Sequence, residues 1–147
     1  MARDWDETFL KMAALIAQHS TCARTKVGAV LIRDRRVIST GYNGVPTGFL
    51  PHCEDLFGRD ADGGAHRAWS RAHELHAETN ALLWAAKSSA PTEGTTLYVT
   101  LPPCRDCAKS IIAAGIKRIV YTGTHHPDED EATASFMRAC AIEVDWR

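Results

Sequence analysis

The stretch Thr96-Leu-Tyr-Val-Thr-Leu-Pro-Pro-Cys-Arg-Asp-Cys107 passes from a predicted strand into a predicted helix. Residues 96–100 are mostly β-branched, aromatic or apolar, which is typical of a buried strand. Pro103 suits the first turn of a helix, and Gly115 is the kind of residue at which a helix ends. A strand that leads directly into a helix is the repeating unit of α/β proteins, so this stretch predicts that fold class.

The rest of the chain shows the same alternation between strand and helix patterns. The other predicted helices cover residues 4–19, 76–87 and 131–139, and the other predicted strands cover 27–32, 37–42, 118–122 and 142–146. Residues 43–65 are rich in glycine and proline and predict a long loop, which is usually functional or fixed by other contacts. The order α-β-β-α-β-α-β-α-β predicts a three-layer α/β/α sandwich with a five-stranded mixed sheet. We expect a single domain over residues 1–147.

Composition and charge narrow the class of partner. The 147 residues are 45% hydrophobic and 24% charged, with a formal net charge of -1. No basic stripe is present to neutralise a nucleic-acid backbone, since the nearest basic run, Arg33-Asp-Arg-Arg36, falls in a predicted turn. The N-terminus does not resemble a signal peptide, and no apolar run is long enough to span a membrane. We therefore expect a cytoplasmic protein that binds a small molecule rather than a nucleic-acid polymer or a membrane.

The five cysteines favour metal binding or catalysis over disulfides, because their number is odd and the chain looks intracellular. They are Cys22, Cys53, Cys104, Cys107 and Cys140. Cys140 lies among apolar residues of the last predicted helix, so we expect it in the core. Two others belong to the clearest pair of motifs in the chain, His76-Ala-Glu78 and Pro103-Cys-Arg-Asp-Cys107.

These two motifs match H-x-E…P-C-x-x-C, the zinc signature of nucleobase deaminases. Cys104 and Cys107 are three residues apart at a predicted helix start, so their thiols share a face and are favoured as thiolates. With His76 they give three ligands and leave a fourth tetrahedral position for water, as in catalytic zinc sites. A structural zinc knot is the alternative, but a knot normally has four cysteine or histidine ligands in this spacing.

Glu78 is the expected catalytic group beside this zinc. Zinc lowers the pKa of a bound water to about 7, and the resulting hydroxide would attack C4 of a cytosine ring. Glu78 would take the water proton, deliver it to N3 and later protonate the departing amine. A catalytically inactive module that only binds zinc and a nucleotide is a second alternative, but it would have no use for this carboxylate.

Further segments extend the match beyond the zinc motifs. They are residues 22–30, Ser39-Thr-Gly-Tyr-Asn-Gly44, Asn80-Ala-Leu82, residues 97–100, Ala114-Gly-Ile-Lys117 and Asp130-Glu-Ala-Thr133. On these segments and the two motifs, the chain resembles the deoxycytidylate deaminases, particularly their phage-type members, over nearly its whole length. The resemblance implies a cytidine deaminase-like fold and zinc-dependent deamination of dCMP to dUMP, which supplies thymidylate synthesis. It also implies a homohexamer that dCTP activates and dTTP inhibits, with Mg²⁺ accompanying the triphosphates, in the host cytoplasm if a phage encodes it.

Residues outside the zinc motifs are candidates for nucleotide contacts. The expected substrate contacts are Arg24, Lys26, Asn43, Ala77 and Thr100, and the expected effector contacts are Gly41, Tyr42, Asn43 and Gly44. Arg24 and Lys26 suit a 5′-phosphate at the entry to a strand, with solvated surface charges as the alternative. Asn43 would hydrogen-bond the deoxyribose hydroxyl. The Gly-Tyr-Asn-Gly segment resembles an effector-linked loop, and an ordinary turn at a strand end is the alternative.

A second metal site is implied by the same resemblance. Phage-type members hold a structural zinc with two cysteines, a histidine and a glutamate. The matching residues here are Cys22, Cys53, His66 and Glu74. Such a zinc would tie the long loop to the first helix and to the approach of the catalytic helix. His52 and His73 are possible substitute ligands, and two ordinary cysteines with a surface histidine are the alternative.

Two departures from the family pattern affect the expected substrate. Thr79 follows Glu78 where relatives often have leucine, and His125-His126 stand where relatives often have an aromatic residue near the base. A deaminase of dCTP or of a 5-substituted dCMP is therefore an alternative. A tRNA adenosine deaminase or a free cytidine deaminase is a more distant one, because the low net charge argues against tRNA and the Gly-Tyr-Asn-Gly segment against both.

Overall fold

The computed structural model describes residues 3–59 and 62–147, and these form six helices and five strands. The helices are α1 (Trp5–Ala17), α2 (Cys53–Leu56), α3 (Gly63–His73), α4 (Ala77–Lys87), α5 (Arg105–Ala113) and α6 (Pro127–Ala139). The strands are β1 (Gly28–Arg33), β2 (Arg36–Tyr42), β3 (Thr96–Val99), β4 (Arg118–Tyr121) and β5 (Glu143–Trp146). Within the described ranges, no helix is both long and apolar enough to cross a bilayer.

The five strands form one sheet in the order β2-β1-β3-β4-β5. Strand β1 is antiparallel to both of its neighbours, whereas β3, β4 and β5 run parallel. A tight turn joins β1 to β2, and its residues Asp34 and Arg35 have left-handed φ values of 49° and 60°. The mixed five-stranded sheet predicted from the sequence is confirmed.

The central strands bury alternate residues on the two faces of the sheet. On one face, Leu31 and Leu97 belong to a core to which α4, α5 and α6 contribute. On the other face, Val30 and Tyr98 pack against α1, whose Phe9 is 4% exposed. Helices therefore cover both faces, which confirms the predicted three-layer sandwich.

Two glycines, one in β1 and one in β2, allow helices to pack closely against these strands. A methyl group at Gly28 would lie 2.0 Å from the Ala13 carbonyl oxygen in α1. A methyl group at Gly41 would lie 2.3 Å from the Ala77 carbonyl oxygen in α4. The contact at Gly41 therefore sets the position of the first turn of α4, which carries Glu78.

The prediction of a loop over residues 43–65 is wrong in part, because the segment contains α2 and the start of α3. Helix α3 begins with two glycines, which have low helix propensity, so its stability depends on tertiary contacts and capping. Asp62 accepts a hydrogen bond from the Gly64 N–H at 3.0 Å. Trp69 packs against Phe57 with ring centroids 5.9 Å apart. These contacts could not be read from local periodicity.

Three smaller predictions at helix ends are also corrected. Helix α6 begins at Pro127, four residues before the predicted start, because proline suits the first helical position. Pro103 precedes α5 rather than lying in its first turn, since Cys104 is the N-cap residue. Cys140 is exposed rather than in the core, because α6 has ended and the chain turns at Ala141 with a φ of 63°.

Candidate active site

Three metal-binding side chains meet at the starts of α4 and α5. His76 is the N-cap residue of α4, Cys104 is the N-cap residue of α5, and Cys107 lies in the first turn of α5. The His76 Nδ1 atom lies 3.5 Å from the Cys104 Sγ atom and 3.3 Å from the Cys107 Sγ atom. Tetrahedral zinc, with bonds of ~2.3 Å to sulfur and ~2.0 Å to nitrogen, would place such atoms about 3.5 Å apart, so the donor set fits zinc.

Glu78 lies in the first turn of α4 and lines the cavity beside these three donors. The residue is 4% exposed. Burial raises the pKa of Glu78 to about 7, although its backbone N–H and the nearby His76 ring act in the opposite direction. A carboxyl group with a pKa near neutrality can both accept and donate a proton, as acid–base catalysis requires.

The two thiols of this cluster differ in their surroundings. Hydrogen bonding lowers the pKa of the Cys104 thiol to about 4, because Cys107 donates to it and the His76 ring lies beside it. The Thr79 hydroxyl oxygen lies 3.6 Å from the Cys107 Sγ atom. Threonine at this position therefore gives Cys107 a hydrogen-bond partner that a leucine would lack.

A second group of four metal-binding side chains has donor atoms within 4.8 Å of one another, and its members are Cys22, Cys53, His66 and Glu74. Both cysteines are buried, and the Cys22 Sγ atom lies 3.5 Å from the His66 Nε2 atom. Glu74 accepts a hydrogen bond from the Ser70 hydroxyl through Oε2, whereas Oε1 is buried with no hydrogen-bond partner among the described residues. A buried carboxylate oxygen without a donor is unusual, so these residues fit a bound cation.

His52 and His73, the two predicted substitute ligands, lie outside this second group. The His73 ring stacks on Trp69, and its Nδ1 atom lies 2.8 Å from the Trp69 carbonyl oxygen. The His52 backbone N–H donates to Asp55 at the start of α2. The structure thus brings together the four residues that the resemblance implied first.

A cavity of about 710 Å³ extends along both groups of donors. Its lining includes His76, Glu78 and Cys104 from the first group and Cys22, His66 and Glu74 from the second. Three of the predicted substrate contacts, Arg24, Asn43 and Ala77, also line it. This cavity is therefore the candidate active site.

Lys26 and Thr100, the other two predicted substrate contacts, do not line the cavity. The Lys26 Nζ atom donates to the Ser20 carbonyl oxygen at 2.5 Å. The Thr100 hydroxyl accepts from a backbone N–H of β1 at 3.1 Å. The Asn43 carboxamide also binds backbone, accepting one hydrogen bond at 2.8 Å and donating one at 2.7 Å to the segment before β1. All three side chains therefore fix the entry to β1.

The Gly41–Gly44 segment is divided between two cavities. Gly41 and Tyr42 are the last residues of β2 and line a separate cavity of about 580 Å³. Asn43 lines the cavity that holds Glu78. Gly44 pairs with Leu75, just before α4, through backbone hydrogen bonds of 3.1 and 2.8 Å. The segment therefore connects the second cavity to the start of the helix that carries Glu78.

Three arginines that line the candidate active site were not among the residues predicted from the sequence. Arg67 and Arg71 lie on α3, and Arg105 is the first residue of α5. The Arg105 guanidinium lies 4.0 Å from the centroid of the Phe136 ring. The spacing of Arg67 and Arg71 would place both on one helix face, but the helix itself was not predicted.

His125 and His126 both line the cavity. The Asp130 Oδ2 atom accepts their backbone N–H groups at 2.9 and 3.2 Å and the Thr124 hydroxyl at 2.8 Å. One carboxylate thus fixes the turn that presents both imidazoles.

Comparison with known proteins gives consistent results. Residues 3–123 match the family described as the cytidine and deoxycytidylate deaminase zinc-binding region. The deoxycytidylate deaminase of Enterobacteria phage T4 is 37% identical over 93% of this chain and 86% of its own length. That of Mycobacterium phage D29 is 45% identical over 80% of this chain and 94% of its own length. The crystal structure of dCMP deaminase from the cyanophage S-TIM5 in complex with dCMP and dUMP aligns with a TM-score of 0.81 at 32% identity, over 100% of this chain and 99% of that one.

Proposed function

The chain belongs to the cytidine and deoxycytidylate deaminases, and on that premise we propose that it hydrolyses dCMP to dUMP and ammonia. The names of the phage relatives and the nucleotides bound to the cyanophage enzyme support this substrate. The observation that carries the proposal is the buried carboxyl group of Glu78, which lines the same cavity as His76 and Cys104. A module that only bound nucleotides would gain nothing from this carboxyl group.

His76, Cys104 and Cys107 would hold the zinc ion that this family binds. When bound, zinc supplies a nucleophilic water by lowering its pKa towards neutrality. Glu78 accepts one proton from the water that adds to C4 and donates it to N3 of the ring. Glu78 then carries the second water proton to the amino nitrogen, which leaves as ammonia while the C4 carbonyl forms. A pKa of about 7 suits Glu78 to both transfers.

The proposed substrate contacts divide into direct and indirect ones. Arg24 and Asn43 line the cavity and would bind the phosphate and the deoxyribose hydroxyl, and Ala77 would contact the pyrimidine from the first turn of α4. Lys26 and Thr100 would act indirectly, because their side chains hold the backbone next to Asn43.

The second donor group would hold a structural zinc. Cys22, Cys53, His66 and Glu74 supply four ligands, which close the coordination sphere of zinc. The free Glu74 Oε1 atom is the observation that favours this site. We expect metal analysis of the purified protein to find two zinc ions per chain. A content of one zinc would contradict the second site.

Regulation and assembly form a further part of the proposal. The Gly41–Gly44 segment would respond to dCTP as activator and dTTP as inhibitor, each with Mg²⁺, at the cavity that Gly41 and Tyr42 line. Leu83 and Trp84, which are 51% and 46% exposed, border the same cavity, and burial in a homohexamer would cover them.

We place the enzyme, as one domain over residues 1–147, in the cytoplasm, which would be that of a host cell if a phage encodes it.

Deamination of dCTP or of a 5-substituted dCMP is a second candidate function. The His125–His126 pair favours it, because two imidazoles at the cavity give the base a different boundary from a single aromatic ring.

An absorbance assay on dCMP, dCTP, 5-methyl-dCMP, cytidine and AMP, each with and without dCTP or dTTP as effector, tests these proposals together. We expect dCMP to be the preferred substrate, with turnover raised by dCTP and lowered by dTTP. Preference for dCTP or 5-methyl-dCMP would favour the second candidate. Turnover without an effector response would remove the regulatory part alone. No turnover of any cytosine nucleotide by zinc-loaded protein would leave a nucleotide-binding module.

A further inference from the structure

Three arginine side chains that line the candidate active site form no ion pair with any described residue. Arg24, Arg67 and Arg71 all line the cavity that holds Glu78. Within residues 3–59 and 62–147, none of the three forms a hydrogen bond or an ion pair, whereas Arg118 pairs with the carboxylate of Asp6 at 2.8 Å. Guanidinium groups without a partner beside a cavity are available to a ligand.

The three guanidinium groups come from two segments that meet. Arg67 and Arg71 are four residues apart on α3 and therefore lie on one helix face. Arg24 crosses the first turn of this helix so closely that a methyl group at Gly63 would lie 2.8 Å from its Nη1 atom. Glycine at position 63 therefore allows the third guanidinium to approach the helix that carries the other two.

Most other charged groups near this part of the cavity have partners of their own. Lys26 is bound to a backbone carbonyl oxygen and lies outside the lining. Arg105 stacks on Phe136. The Asp130 carboxylate accepts hydrogen bonds from the 124–126 turn, and Glu74 belongs to the second donor group.

Asp106 is paired with Lys109 at 2.7 Å, and its pKa is lowered mainly by that lysine, with a smaller contribution from the charge of Arg71. Glu129 of α6 also lines the cavity but forms no ion pair with the three arginines among the described residues. The α3 side of the cavity therefore suits an anion.

We propose that Arg67 and Arg71, together with Arg24, bind the 5′-phosphate of the substrate and so make the enzyme select a nucleotide over a nucleoside. The inference rests on the proposed function and adds the residues that distinguish the 5′-nucleotide from the nucleoside. Planar guanidinium groups suit this task, because each can donate two parallel hydrogen bonds to phosphate oxygens. The phosphate lies at the end of the substrate remote from the reacting C4 atom, so its contacts affect binding more than chemistry.

Steady-state kinetics with dCMP and deoxycytidine test the inference on Arg67→Ala, Arg71→Ala and the double variant. We expect each single substitution to raise KM for dCMP by about 10-fold or more, as loss of a charge-assisted hydrogen bond does. The kcat for dCMP and the kcat/KM for deoxycytidine should stay near the wild-type values. Arg71→Lys should raise the KM for dCMP less than Arg71→Ala does, since lysine keeps the positive charge but cannot donate the bidentate hydrogen bonds of arginine. Arg36→Ala, at an exposed arginine of β2 outside the cavity, is the matched control.

Inorganic phosphate provides a second measurement. It should inhibit the wild-type enzyme competitively with dCMP and inhibit the double variant more weakly. An unchanged KM for dCMP, or equal losses with dCMP and deoxycytidine, would overturn the inference. Equal losses together with a smaller oligomer in gel filtration would assign the arginines to a contact between subunits instead.

Nucleotide binding tests the phosphate contact independently of turnover. If the wild-type protein turned over neither substrate, calorimetric binding of dUMP would still compare it with the Arg67→Ala/Arg71→Ala variant. Weaker dUMP binding by the variant would support the phosphate contact, and equal binding would contradict it.

Discussion

The two donor groups of this chain use similar residues but differ in number and exposure. The first has three donors, and two of them, His76 and Cys104, are exposed. The second has four donors, and both of its cysteines, Cys22 and Cys53, are buried. Three donors leave a coordination position for a reacting water, whereas four close the site. If both groups bind zinc as we propose, ligand count and solvent access rather than ligand type would separate the catalytic site from the structural one.

The two groups also differ in how the fold positions them. The first lies at the N-caps of α4 and α5 and in the first turn of α5, and both helices contribute to the core on one face of the sheet. The second joins the segment before β1, the short helix α2, and both ends of α3, with His66 in its first turn and Glu74 at its C-cap. The first group is therefore arranged by packing in advance of metal binding, whereas the second would order its own surroundings when metal binds.

Glu78→Gln should have the largest effect on activity, because it removes the proposed acid–base group beside the first donor group. Glutamine keeps the size of the side chain but cannot transfer the proton, so kcat should fall by about 10²–10⁴-fold. Zinc content and dUMP binding should not change. Glu7→Gln, an exposed carboxylate of α1, is the control. Turnover retained by Glu78→Gln would contradict the proposed proton transfers.

Matched cysteine substitutions should separate the two groups. Cys104→Ser should lose activity and one zinc ion but keep most of the thermal stability, because packing already holds its helix. Cys53→Ser should also lose one zinc ion, but its main effect should be a loss of about 3 kcal/mol or more of stability, which lowers Tm by roughly 10 °C in a chain of this size. Calorimetry and metal analysis measure both outcomes. Equal losses of Tm in the two variants would show that the two groups support the fold to the same extent.

How well the sequence predicts each group follows from the range of the interactions that build it. His76, Glu78, Cys104 and Cys107 fall in short motifs at strand-to-helix junctions, so local spacing was enough to identify them as candidates. Helix α3 starts with two glycines and depends on Asp62 capping and aromatic contacts, so its arginines were missed. The second group could be proposed only through resemblance, since its members are scattered over more than fifty residues of sequence.

Gly41→Ala should disturb the first group through packing alone. A methyl group would clash with the Ala77 carbonyl oxygen and push the first turn of α4 away from the sheet. Overpacking of this kind typically costs about 1–3 kcal/mol, and the displaced Glu78 should lower kcat as well. Gly48→Ala is the comparison, because no atom of the described residues lies within 4 Å of its side-chain position, although its φ of 91° also opposes the change. If Gly41→Ala kept full kcat, the contact between β2 and α4 would not position Glu78.

Thr79→Val should have the smallest effect and tests whether the first group has support beyond its three donors. Valine preserves the shape of threonine but removes the hydroxyl that lies 3.6 Å from the Cys107 Sγ atom. Loss of a hydrogen bond to a metal ligand typically weakens metal binding by about 10–100-fold, so competition with a chelator should remove zinc from this variant at lower chelator concentration. Thr79→Ser, which keeps the hydroxyl, should behave like the wild type. Zinc in the second group should be unaffected in both variants, because the Thr79 hydroxyl lies beside Cys107 of the first group. If Thr79→Val retained zinc as firmly as Thr79→Ser, packing at the two helix N-caps would be sufficient to hold the catalytic metal.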